Sequence, residues 1–209
     1  MSLIGKEVRS TLAWTEAVTR VWNILKDHKP SLYPMEEWDE LHDIRIAKLP
    51  AEGLDPGSQP YALATKAGLH LLNESLDKSH SLSQEIHNPT GSYWHGIMHR
   101  MEGDYSNAKY WFRQAGAHPV HESLLAAAQE ACRSYDIDSI SSDSMKSRLA
   151  AFISGTAWDT AMFTDLVEQQ VTVVQDDTAD ELLIELQWLE IRLLLQYSYQ
   201  RSGGNSLEL

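Results

Sequence analysis

The chain has 209 residues, 43% of them hydrophobic, and carries 17 basic against 30 acidic side chains, a formal charge of -13 with a pI near 5.0. So large a deficit of cations leaves counterion release from nucleic acid, or attraction to anionic lipid, without a driving force; neither nucleic acid nor a membrane is an expected partner. Cys132 is the single cysteine, which excludes an internal disulfide and a multi-thiolate zinc site and points to a reducing, cytoplasmic setting.

In chain order, MSLIGKEVRSTLAW carries Lys6, Glu7 and Arg9 before an apolar run can build, so it does not read as a signal peptide. Leu3, Val8, Leu12, Val18, Val21, Trp22 and Leu25 follow a period near 3.6 and predict an amphipathic helix that stops before Pro30. Pro34 is expected to open a second helix with Met35, Trp38, Leu41 and Ile44 as its apolar stripe. LPAEGLDPGSQP, residues 49–60, holds three prolines and two glycines and reads as the one long internal loop.

No proline follows Pro119, which permits uninterrupted helices across the last ninety residues. Thr156 with Asp159 and Thr178 with Glu181 have capping-box spacing and predict two helix starts. VTVVQ at 171–175 continues a helical pattern from Phe163, Leu166 and Val167. ELLIELQWLEIRLLLQYSYQ is interrupted by Glu185, Glu190 and Arg192, so it predicts a central core helix and not a membrane span. These readings give an all-α fold in a single domain over 1–209: a helix pair over 1–48, the loop, helical hairpins over 61–121, C-terminal helices over 122–202 and a frayed tail over 203–209.

Within 61–121, Gly96 holds a small position on a first helix, Gly103-Asp104-Tyr105 a turn, and Ala108, Phe112 and Ala115 a second helix, with Pro119 one residue early. A weaker copy lies 29 residues earlier, with Ala67, Leu76, Ser79 and Ile86 opposite Gly96, Tyr105, Ala108 and Ala115. This pattern resembles the tetratricopeptide repeat, a helix-turn-helix unit. The resemblance implies that 92–102 and 105–115 run antiparallel with Gly96 facing Ala108. PTGSYWHGIMHR, NAKYWFR and HPV, in this order, also resemble a group of bacterial proteins that carries the same segments; that likeness implies a domain type of its own and brings no activity with it. The chain departs from the repeat pattern where a leucine and a tyrosine of the first helix are replaced by His95 and His99.

His95, His99 and Glu102 fall at i, i+4 and i+7, one stripe of one helix, and could offer two nitrogens and a carboxylate to a divalent metal such as zinc. His118 is the expected third metal ligand, with His121, His80 and Asp104 as further contributors. HGIMH lacks the glutamate that a zinc-protease helix uses as general base, so that mechanism is disfavoured. Without metal, His95, His99, Glu102, Asp104 and Asn107 against Trp94, with Arg100, Tyr110 and Trp111 nearby, would suit a small polar ligand. The structural alternatives are core histidines bonded to carbonyls, Asp104 or Asn107; Asp104 as a helix N-cap; Arg100 and Arg113 as surface ion-pair residues; and Cys132 as a buried, inert thiol. Glu185 and Glu190 are candidates to pair with Arg192, His95 or His99 across the core.

No nucleophile constellation or glycine-rich phosphate loop is present. The expected function is a binding module without catalysis, its partner a protein or a small-molecule ligand, and a homo-oligomer is compatible with it. The alternative is a metal-dependent, hydrolytic enzyme using His95 and His99.

Overall fold

A computed structural model describes residues 3–207 of the chain, with side chains described from residue 8 onward. Among the described residues there are ten α-helices and no strand: α1 Leu3–Leu25, α2 Glu40–Ala47, α3 Gln59–Leu72, α4 Leu76–Ser83, α5 Pro89–Met101, α6 Tyr105–Ala115, α7 His121–Cys132, α8 Asp143–Ile153, α9 Thr160–Gln169 and α10 Asp177–Arg201. The expectation of an all-α domain holds. No described helix is long and apolar enough to cross a membrane.

The first helix buries Trp14, Val18, Val21, Trp22 and Leu25, a stripe of helical period, while Val8 and Leu12 remain exposed. Leu3 lies outside the described side chains. The second helix departs from expectation in both start and face. Asp39 is its N-cap, accepting from the Leu41 N–H at 2.8 Å, so it begins six residues after the expected proline. Met35 is 83% exposed, and Trp38, Leu41 and Ile44 are exposed as well. The buried face is His42, Asp43 and Ile46. Asp43 accepts from His70 Nδ1 at 2.8 Å, Asn73 Nδ2 at 3.1 Å and Lys78 Nζ at 2.6 Å, which ties α2 to α3 and α4. With both carboxylate oxygens of Asp43 hydrogen-bonded, this polar face can be buried at little cost, and the apolar stripe is turned outward.

The proline-rich loop is packed: Leu49 and Leu54 are buried, and Asp55 accepts from the Gly57 and Ser58 N–H groups just before α3. In the C-terminal half both expected helix starts shift. Asp159 itself is the N-cap of α9, accepting from Ala161 and Met162, and Asp176 caps α10 by accepting from Ala179. A carboxylate immediately ahead of the first turn takes the orphan N–H groups directly, so the threonines are not needed as caps. The VTVVQ segment does continue α9, as a π-helical turn over Gln170–Val174 that ends at Gln175 in the left-handed region. The tail is not frayed up to Leu207, which is 2% exposed and donates its N–H to Gln196 Oε1 at 2.7 Å.

Two apolar clusters share α10. Ala179, Leu182, Leu183 and Leu186 enter one with α7, α8 and α9; Ile191, Leu194, Leu195 and Tyr199 enter the other with α1, α3 and α5. A helix buried along both halves has little reason to be amphipathic, and its apolar side chains are not confined to one stripe. Between the clusters lie Gln187 and Glu190, both fully buried. Glu190 receives Arg100 Nη2 at 2.5 Å, Tyr93 Oη at 2.9 Å and Trp158 Nε1 at 3.3 Å. Arg100 is therefore no surface residue, and Glu190 pairs with it and not with a histidine. Glu185 pairs with Lys29, and the Arg192 guanidinium lies 3.9 Å from the Trp188 ring centre.

Candidate functional site

The hairpin α5–α6 is built by local signals. Asn88 caps α5 by accepting from the Gly91 N–H at 3.0 Å, with Pro89 in the first turn where its missing N–H costs nothing. Gly103, at φ +85°, makes the turn in a region that disfavours other residues. Asp104 then caps α6 by accepting from the Asn107 N–H at 3.2 Å. His95 meets Trp111 and His99 meets Asn107, so rising numbers on one helix face falling numbers on the other and the pair is antiparallel. Gly96 packs against Phe112: a Cβ on Gly96 would stand 2.8 Å from that ring.

One turn apart on α5, the rings of His95 and His99 stack at 4.7 Å and 14°. Trp111 stacks on the other face of His95 at 4.0 Å and 11°, and His80 of α4 meets both histidines edge-on at 4.8 and 5.5 Å. The result is a three-imidazole cluster in which one nitrogen from each of His80, His95 and His99 lies within 4.8 Å of the others. His99 Nδ1 donates to Glu102 at 2.5 Å, which leaves Nε2 as the acceptor; Asn107 Nδ2 donates to it at 3.0 Å. His95 Nδ1 is buried without a partner, and among the described residues no hydrogen bond reaches the ring of His80. Burial, with the neighbouring His99 and His80 rings, pushes the His95 pKa down to about 4. Its ring is neutral at physiological pH, with a lone pair available to an acceptor-seeking ligand.

Glu102 and Asp104 are exposed and form a second group with His99 on the same scale of separation. The other residues singled out in the sequence are elsewhere. His118 does not join the cluster: its Nδ1 accepts from the Val120 N–H at 3.4 Å, its Nε2 bonds Thr90 Oγ1 at 3.1 Å, and it packs on Tyr93 and Tyr197. Burial and, secondarily, the nearby His121 push its pKa down to about 4. The Val120 turn and the Thr90 hydroxyl of α5 satisfy its two nitrogens, so His80 and not His118 supplies the third ring. Trp94 is fully buried, donating to Ser198 Oγ at 3.1 Å against α10, and the aromatic wall of the cluster is Trp111. Cys132 is buried and its thiol is pushed up to about 11 by that burial, as an inert core thiol should be.

The pairing of Trp111 with His95 follows from the hairpin register and was open to sequence reasoning. The buried group around Arg100 and Glu190 was not, since its members lie ninety residues apart with no local pattern to join them. No protein-family model, curated protein or solved structure matches this chain.

Proposed function

We propose that this chain is a helical binding module whose ligand is a divalent transition-metal ion held by His80, His95 and His99. The observation that carries the reading is the convergence of three imidazoles from two helices, two of them with no hydrogen bond from the protein to a ring nitrogen. Buried polar groups are normally satisfied, and an unsatisfied neutral imidazole has a lone pair to give. An all-nitrogen donor set favours zinc, copper or nickel over magnesium or calcium. Tetrahedral zinc needs its nitrogens about 3.3 Å apart. Binding therefore requires rotation of the half-buried His80 side chain and exchange of Asn107 for the metal at His99 Nε2. The Glu102 carboxylate on His99 Nδ1 then acts as an outer partner that fixes the tautomer and raises the basicity of the ligating nitrogen.

A second reading rests on the same count of ligands. Three imidazoles leave coordination positions open, as in hydrolytic zinc sites, with the exposed carboxylates of Glu102 and Asp104 at the rim.

Elemental analysis and zinc titration of protein purified without a histidine tag test the proposal. One equivalent of metal is expected in the wild type and in His118→Gln, with loss in His80→Ala, His95→Ala and His99→Ala. Retention of metal by the three alanine variants, or its absence from the wild type even after zinc titration, would remove this reading. Turnover of activated esters by zinc-loaded protein, absent from His99→Ala, would favour the hydrolytic alternative.

A further inference from the structure

The apolar stripe expected to anchor the second helix is exposed, and a groove of about 390 Å³ lies between α1 and α2. Ala17, Val21 and Ile24 of α1 and Leu49 beyond α2 form its apolar lining. Arg20, Arg45 and Lys48 stand along it, all exposed. Leu41 and Ile44 continue the face of α2 that carries Arg45 and Lys48, at helical spacing.

Three cations gather at this one groove. The chain has 30 acidic residues for 17 basic ones, yet among the described residues none of Arg20, Arg45 and Lys48 has a carboxylate within ion-pair distance. On so acidic a molecule, three unpaired cations beside apolar surface are complementary to a ligand that is itself both apolar and acidic. From Ala17 to Ile24 the α1 face rises about 10 Å, the span of two turns of a partner helix, so it matches side chains at i, i+3 or i+4, and i+7. A second copy of the chain is disfavoured as the occupant, because two bodies of charge -13 repel.

We propose that the groove between α1 and α2 docks an acidic amphipathic helix of a partner protein. Its apolar side chains seat on Ala17, Val21, Ile24 and Leu49, and its carboxylates pair with Arg20, Arg45 and Lys48. The site is on different elements from the histidine cluster and does not depend on metal.

The test uses the full chain and a fluorescent amphipathic peptide of about 16 residues, with leucines at the i, i+3, i+4 and i+7 positions of one face and glutamates elsewhere. A lysine-for-glutamate twin serves as the control. The acidic peptide should bind saturably at one equivalent, more weakly as salt rises, and the lysine twin should not bind. Ile24→Ser should weaken binding about tenfold. The triple variant Arg20→Glu, Arg45→Glu, Lys48→Glu should lose the acidic peptide and gain the lysine twin, with an unchanged helical circular dichroism spectrum because all three side chains are exposed. No binding of the acidic peptide, equal binding of both peptides, or binding that survives the triple variant would overturn the proposal. So would a dimer in sedimentation that the triple variant dissolves, since the occupant would then be a second copy.

Discussion

Arg100 of α5 and Glu190 of α10 form an ion pair in which neither side chain is exposed at all, their Nη2 and Oε2 atoms 2.5 Å apart. The pair sits at the seam of the two apolar clusters. The guanidinium lies over the Phe163 ring at 4.6 Å, but its Nε and Nη1 have no hydrogen-bond partner. Removing one member of a buried pair strands the other charge, at a cost of about 3–5 kcal/mol, whereas replacing both by apolar side chains is close to neutral. Arg100→Met and Glu190→Leu are each expected to lower the urea-unfolding free energy by that amount, and the double variant by much less than the sum. Additive losses would mean that the two residues do not interact in the folded chain.

The contact of Gly96 with Phe112 predicts overpacking. Gly96→Leu should destabilise by roughly 1–3 kcal/mol or more, because the ring blocks the new side chain. Phe112→Ala, which empties a buried site, should cost about 3–5 kcal/mol. The two changes touch the same space, so the combined variant should be more stable than additivity allows. Urea melts check all three, and an unaltered midpoint for Gly96→Leu would contradict the packing described.

His118 predicts the direction of acid sensitivity. Its folded pKa, near 4, lies below the ordinary histidine value, so between about pH 6.5 and pH 4 the unfolded chain binds a proton that the folded chain refuses. Stability must therefore fall as the pH drops through that window, at up to about 1.4 kcal/mol per pH unit for this one group. His118→Gln, which can still bond Thr90 and Val120, should flatten the slope by one proton. Urea titrations at several pH values between these limits would reveal an unchanged slope, if the ring is not held neutral.

His95 links stability to metal. In metal-free protein, His95→Leu should leave stability unchanged or raise it, since an unpartnered buried nitrogen gives way to apolar packing. Zinc in hundredfold excess over its dissociation constant should stabilise the wild type by about 2.7 kcal/mol and leave His95→Leu unaffected. Equal thermal shifts for both proteins would place zinc elsewhere.

Helical period, proline placement and the glycine turn made most of the fold legible. The central helix, the hairpin 92–102/105–115 and the capping role of Asp104 all follow from interactions within a few residues. The second helix was misread because period alone cannot say which face is buried. Met35, Trp38, Leu41 and Ile44 form a regular apolar stripe, yet a network centred on Asp43 and Asn73 turns the opposite face inward.

By itself, the sequence determined an acidic, all-helical chain with seven of its nine histidines between His70 and His121, because helix formation and turn geometry are decided by near neighbours. Tertiary structure alone decided that His80 joins His95 and His99 while His118 is satisfied by Thr90 and Val120. It alone joined Arg100 to Glu190 across ninety residues and left Arg20, Arg45 and Lys48 unpaired along an open groove. The physical reason is that pairing of polar groups depends on which helices pack together. That packing follows from apolar burial summed over the whole chain, and no local pattern encodes it.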